Sequence, residues 1–275
     1  ANVLGACYGS TGPMSVNPET GGKYYHSFPK VTIRDMVGAH DLLREHLGIR
    51  RIFLLTGGSL GGQQALEWAV SKPDLIENMV LMSSNARHSP WGIAFNEAQR
   101  MAISADPTWR ENRDDAGREG MKAARAIAML SYRNYRTYEK TQADDTDEKT
   151  GDFRAASYQR YQGLKLAKRF DAFSYWVLSE AMDSHNIGRG RGGAENALRQ
   201  IECYTQVIGI TSDILFPVAE QRFITRYIKN VTYEEINSTY GHDGFLVETD
   251  KLEKSIRAFF RQKERKLLVS MRKSG

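Results

Sequence analysis

The chain has 275 residues, room for one large domain or for a domain carrying an insert. Its apolar share of 41% is too high for a disordered chain, and no apolar run nears the ~20 residues of a membrane helix. The formal charge of 38 − 33 = +5 is a mild basic excess, spread along the chain among acidic residues, so it reads as solvated surface and argues against a nucleic-acid partner.

In chain order, the start lacks the basic, apolar and small-residue succession of a signal peptide. Cys7 and Cys203 have neither metal spacing nor disulfide density, which predicts two small core residues in a reducing cytoplasm. Residues 31–47 place Ile33, Met36, Val37, His40, Leu43 and Leu47 on one helical face. Thr32 and Asp35 form a capping-box pattern at its start, and Gly48 stands at the stop. "RIFLLTG" then predicts a short buried strand. A helix follows Ser59, with Ala65, Leu66, Ala69 and Val70 as its apolar stripe and Pro73 beyond its end. "ENMVLMSS" is a second strand, so the segment is a βαβ unit of a parallel sheet, with a glycine turn at the first strand's carboxyl end.

From residue 89 to 198 the pattern is helical with almost no strand signal. "GMKAARAIAMLSYRNYRTY" and "AASYQRYQGLKLAKRFDAFSYWVLSEAM" read as long helices with interleaved tyrosines and arginines. Between them "QADDTDEKTGD" reads as a solvated loop, and "IGRGRGG" as a flexible turn before a short helix. Strands resume with "CYTQVIGI" and "VTYEEIN", and "DKLEKSIRAFFRQKER" is a closing amphipathic helix. The expected organisation is a core of residues 1–88 and 199–275 interrupted by a helical lid, 89–198.

Gly57-Gly58-Ser59-Leu60-Gly61 satisfies G-x-S-x-G between a strand and a helix, the setting of a nucleophile elbow. A phosphate loop would need Lys then Ser or Thr where Gly62, Gln63 and Gln64 stand. A dinucleotide fold would need an acidic residue at the end of the next strand, and "VLMSSNA" has none. A serine nucleophile requires a base and an orienting carboxylate, here expected in the order Ser, Asp, His at strand ends. Asp213 after "QVIGITS" and His242 after "YEEINSTYG" fit that order. The other five histidines lack such positions.

At this point a resemblance becomes specific. "ANVLGACYGSTGP", "FPKVTIRDMV", "GGSLGGQQALEWA", "ARHSPWGIAFNEAQRMAI", "RFDAFSYWVLSEAMD", "SDILFP" and "YGHDGFL" resemble motifs of the homoserine O-acetyltransferase family of α/β-hydrolase-fold enzymes, over nearly the whole chain. The resemblance implies a Ser59–Asp213–His242 triad that passes acetyl from acetyl-CoA, a substrate and no bound cofactor, to L-homoserine on the way to methionine. It also implies a cytoplasmic homodimer with no metal. Arg100 matches the arginine for homoserine's carboxylate, Asp243 the acid for its amino group, and Tyr132 a tyrosine lining the substrate site. The N–H of Leu60 is one oxyanion donor.

Only about fifty residues, with at most one strand tail, precede the elbow strand, and the chain opens on Ala1-Asn2. The expectation is that an N-terminal segment with early strands and a second oxyanion donor precedes it. The triad alone does not separate acetyl from succinyl transfer, homoserine from serine as acceptor, or transfer from ester hydrolysis.

Overall fold

The computed structural model describes residues 1–273. In chain order its main elements are α1 (Ile33–His46), β1 (Leu55–Gly58), α2 (Leu60–Ser71), β2 (Asn78–Met82), α3 (Pro90–Ser104), α4 (Arg118–Tyr132), α5 (Tyr135–Gln142), α6 (Arg154–Ala167), α7 (Ala172–Asp183), α8 (Ala194–Arg199), β3 (Tyr204–Ile210), α9 (Val218–Thr225), β4 (Val231–Ile236), α10 (Gly244–Val247) and α11 (Thr249–Lys273). Two compact units divide them: residues 48–87 with 186–275, and residues 1–47 with 88–185. No helix among the described residues is long and apolar enough to cross a membrane.

The first unit holds a parallel sheet in the order β1-β2-β3-β4. Its middle strands are buried almost throughout, as strands covered on both faces must be. Period-two alternation sorts their side chains. Met79, Leu81 and Val207 face a cluster with Ala65, Leu66, Ala69, Ile187, Ala197 and Leu198. Val80, Ile208 and Ile210 face the other way, with Ile236 and Leu252. Each such large side chain contributes roughly 1.5–3 kcal/mol by leaving water. The register pairs Gly58 with Met82 and Met82 with Ile208, so the carboxyl ends of β1 and β2 are level and β3 runs two residues beyond them.

The second unit is helical. The Thr32 hydroxyl accepts a hydrogen bond from the Asp35 N–H while the Asp35 carboxylate accepts one from the Thr32 N–H, so α1 starts on the expected capping box. Only its first turns are buried, at Ile33, Met36 and Val37; Leu43 and Leu47 are exposed, unlike the stripe read from spacing. The two long helical patterns are each broken in two. Asn134 caps α5 by accepting from the Arg136 N–H, and Asp171 caps α7 by accepting from the Ser174 N–H. Short polar side chains that bond the next turn's amides outcompete helix continuation there.

The units also differ from the division read from sequence. Residues 1–47, expected with the sheet, pack with the helices: Tyr25 and His26 set their rings against Phe173, and His26 also against Trp109. Residues 186–198, expected in the insert, belong with the sheet unit through Ile187, Ala194, Ala197 and Leu198. "IGRGRGG" is an anchored turn. Arg191 forms an ion pair at 2.6 Å with Glu67, itself 2% exposed, and a Cβ on Gly188 would stand 2.3 Å from the Ala194 nitrogen. Cys203 is buried as expected, but Cys7 is only half-buried.

Candidate active site

The glycine turn works because β1 must pass into α2 without room for side chains. A Cβ on Gly57 would lie 2.2 Å from the Gly61 carbonyl oxygen, one on Gly58 2.3 Å from the Phe245 ring, and one on Gly62 2.5 Å from the Ser84 Cβ. Ser59 between them has φ 52° and ψ −124°, a conformation that costs a non-glycine residue about 1–3 kcal/mol. Hydrogen bonds offset that strain. The Ser59 N–H donates to the Met82 carbonyl at 3.0 Å. The Ser59 carbonyl accepts from the Gly62 and Gln63 N–H groups at 3.0 and 3.1 Å and from the Ser84 hydroxyl at 2.9 Å. The Ser84 carbonyl in turn accepts from the Gln221 side-chain amide at 2.7 Å.

The turn aims the Ser59 Oγ at His242, whose Nε2 lies 2.9 Å away. On the far side of the imidazole, Nδ1 lies 2.7 Å from Asp213 Oδ2. Asp213 follows β3, and its other oxygen accepts from the Leu215 and Phe216 N–H groups, both at 2.9 Å. His242 sits in a 3-10 turn, Gly241–Asp243, after β4; the Gly241 N–H donates to Ser212 at 3.0 Å, tying the two loops together. Asp213 and His242 are each 4% exposed, so the bonds lie out of bulk water, where they are strongest. A half-buried hydroxyl, an imidazole placed to take its proton and a carboxylate holding that imidazole are the parts from which a nucleophile can be made. Leu60 opens α2, where the helix has no acceptor for its N–H.

Asp243 directly follows the histidine and is half-buried. The remaining two predicted residues belong to the helical unit. Arg100, on α3, is 7% exposed, and each of its three guanidinium nitrogens donates a hydrogen bond. Its Nε and Nη2 donate to Glu97 at 2.9 and 2.7 Å, Nη2 also to Asp183 at 2.5 Å, and Nη1 to Ser179 at 3.0 Å. Asp183 is held further by the Asn96 amide at 2.7 Å. The planar edge of Arg100 that suits a carboxylate is therefore presented to Glu97, a residue whose side chain is 57% exposed. Tyr132 ends α4, with the Arg125 guanidinium over its ring at 5.2 Å. Burial, with Tyr132 nearby, pushes the Tyr175 phenol well above its ordinary range, so it stays a neutral donor, bonded to Gln99.

Sequence reading missed the residues that support the elbow and the imidazole: Ser84, Gln221, Ser212, Phe216 and Phe245. Their partners are 25 to 137 positions away for Ser84 and Gln221, and no local pattern marks such contacts. Among the described residues no three His, Cys, Asp or Glu side chains gather into a group able to hold a metal. A cavity of about 150 Å³ lined by Tyr204, Lys229, Thr232, Phe259 and Lys263 opens at the amino ends of β3 and β4, the opposite end of the sheet from Ser59.

The family model described as the α/β-hydrolase fold matches residues 1–249. A homoserine O-acetyltransferase of Cyclobacterium marinum is 53% identical over 260 residues, 94% of this chain and 74% of that protein. Among solved structures, a homoserine O-acetyltransferase from Bacillus anthracis superposes with a TM-score of 0.84 at 25% identity, over 91% of this chain and 70% of the other. The esterase E22 L374D mutant is similar too, with TM-score 0.83 at 25% identity over 91% and 72% of the two chains.

Proposed function

Since this chain belongs to the homoserine O-acetyltransferase family of α/β-hydrolase-fold enzymes, we propose that it moves an acetyl group from acetyl-CoA to the hydroxyl of L-homoserine, with Ser59 carrying the acetyl between them. The observation that supports this most is the hydrogen-bonded chain from Ser59 through His242 to Asp213, set on a strained elbow.

In the first half, His242 Nε2 takes the proton of Ser59 Oγ as that oxygen attacks the thioester carbonyl. The Leu60 N–H meets the oxyanion, and the proton passes to the departing CoA sulfur. In the second half, the homoserine hydroxyl gives its proton to the same Nε2, attacks the acetyl-serine, and the proton returns to Ser59. Asp213 keeps the imidazole's proton on Nδ1 and stabilises the imidazolium formed twice per cycle. For the zwitterionic acceptor, the proposal gives the carboxylate to Arg100, the amino group to Asp243, and lining of the substrate to Tyr132. The substrate carboxylate would replace Glu97 on the Nε–Nη2 edge of Arg100; an exposed partner is the one most easily displaced. Acetyl-CoA acts as substrate with no resident cofactor, the helical unit is assigned the role of a lid, and a cytoplasmic homodimer completes the proposal.

Ester hydrolysis is the second reading, favoured by the esterase fold likeness. Ser59→Ala tests both. Incubation with acetyl-CoA alone should add one acetyl group to the wild-type protein, at Ser59, and none to the variant. Added homoserine should then discharge that acetyl as O-acetylhomoserine; release as free acetate at the same rate with or without homoserine would favour the esterase. Undiminished transfer by Ser59→Ala would overturn the acyl-serine mechanism.

A further inference from the structure

The triad explains why His242 is where it is along its hydrogen bonds, but not what fixes the plane of its ring. Two hydrogen bonds at opposite nitrogens leave an imidazole free to rock about the line between them. Two phenyl rings remove that freedom. Phe216 is stacked on the imidazole face, ring centres 5.1 Å apart and planes inclined by 24°. Phe245 meets it edge-on, at 5.2 Å and 67°.

Neither ring is a bystander in the packing. Phe216 is fully buried, and its own N–H donates to Asp213 Oδ1. One residue thus holds the acid with its main chain and the base with its side chain. Phe245 lies so close over the elbow that a Cβ on Gly58 would come within 2.3 Å of its ring. It fills the space between the residue preceding the nucleophile and the base. A glycine at position 58 is what allows the ring to approach.

We propose that Phe216 is a positioning residue for acyl transfer, clamping His242 with Phe245 so that one orientation of the imidazole serves both half-reactions. The inference rests on the acyl-serine reading above. The clamp also has an electrostatic side. In each half-reaction His242 becomes an imidazolium, and the negative face of the Phe216 ring lies over it within cation–π range. At its two nitrogens the imidazole meets Asp213 (Nδ1) and the Ser59 hydroxyl (Nε2), with Asp243 next in the chain. Changing the Phe216 side chain alters none of them.

Phe216→Leu isolates the ring, because the N–H that holds Asp213 stays. The variant should lower kcat for acetyl transfer by about ten- to a hundred-fold, the scale of a misaligned reacting group. KM for homoserine and for acetyl-CoA should stay within about two-fold, since the ring is assigned no substrate contact. A purely structural role would reduce the amount of active protein, counted by acetyl incorporated per chain, without lowering kcat per active site.

A ring-fluorinated phenylalanine at position 216 covers the case in which leucine fails to fold. It preserves shape while weakening the negative ring face over the imidazolium, and it should lower kcat per active site with both KM values unchanged. Ser59→Ala, measured alongside, separates the two levels. If that variant loses transfer while both Phe216 variants keep the wild-type kcat per active site, the clamp alone is overturned. If Ser59→Ala still transfers acetyl, the acyl-serine reading falls first.

Discussion

The substitution Asp213→Asn exchanges one carboxylate oxygen for an amide nitrogen and should reverse the direction of a proton. The remaining side-chain oxygen can still accept from the Leu215 and Phe216 N–H groups, now at 2.9 Å, so the loop has no reason to move. The new amide nitrogen then faces His242 Nδ1 at the present 2.7 Å and must donate to it. That forces the imidazole's proton onto Nε2, which becomes a donor toward Ser59 instead of the acceptor the nucleophile needs. Wrong-tautomer substitutions of this kind cost about 10⁴-fold in kcat in other serine triads, or roughly 5 kcal/mol of barrier. Stability should drop by only about 1 kcal/mol, because one charge-assisted hydrogen bond becomes a neutral one. Asp213→Ala should behave differently. It orphans two buried N–H groups at about 1–3 kcal/mol each, so it should lose roughly 2–6 kcal/mol of stability as well as activity. Steady-state acetyl transfer and urea unfolding of both variants check this. An asparagine variant within about ten-fold of wild-type kcat, or an alanine variant as stable as the asparagine one, would refute the tautomer argument.

Gly57→Ala should abolish soluble, folded protein or lower its thermal midpoint sharply, because its Cβ would meet the Gly61 carbonyl carbon at 2.3 Å and backbone on both sides is fixed. Gly61→Ala is the control for stability: a Cβ there meets nothing within 4 Å, and the midpoint should hold. Asp106 gives a pH prediction in the helical unit. Burial raises its pKa, but N–H groups of Gly120, Thr108 and Glu119 and the Thr108 hydroxyl outweigh that and hold the carboxyl below its ordinary value. A depressed folded-state pKa contributes stability above the unfolded value, lost as pH falls through the folded one. Asp106→Asn should therefore cost about 1–3 kcal/mol at neutral pH, with the gap from wild type closing in acid; a gap that persists unchanged in acid contradicts the assignment.

Local patterns in this chain carried a good deal. The capping box of α1, the strand–turn–helix at Ser59, and Asp213 and His242 at strand ends all depend on neighbours a few residues apart. Glycine spacing and apolar runs encode them directly, because backbone sterics and side-chain periodicity act at short range. The break between α4 and α5 was written there as well, in Asn134, although helical periodicity masked it. The grouping of residues 1–47 with the helices was not legible, since amphipathicity says that a face is buried but not against what.

The same limit applies at the site. Sequence by itself determined the candidate residues and their order: a hydroxyl among glycines, a strand-end carboxylate, a loop imidazole. Tertiary structure alone decided that Ser59 and His242, 183 positions apart, meet at 2.9 Å. It alone set the Phe216 ring on the imidazole and tied Arg100 to Asp183, 83 positions away. A chain's local code specifies conformations of a few bonds. Which side chains then share a hydrogen bond depends on how sheets and helices close-pack, and that is settled only when the whole core is filled.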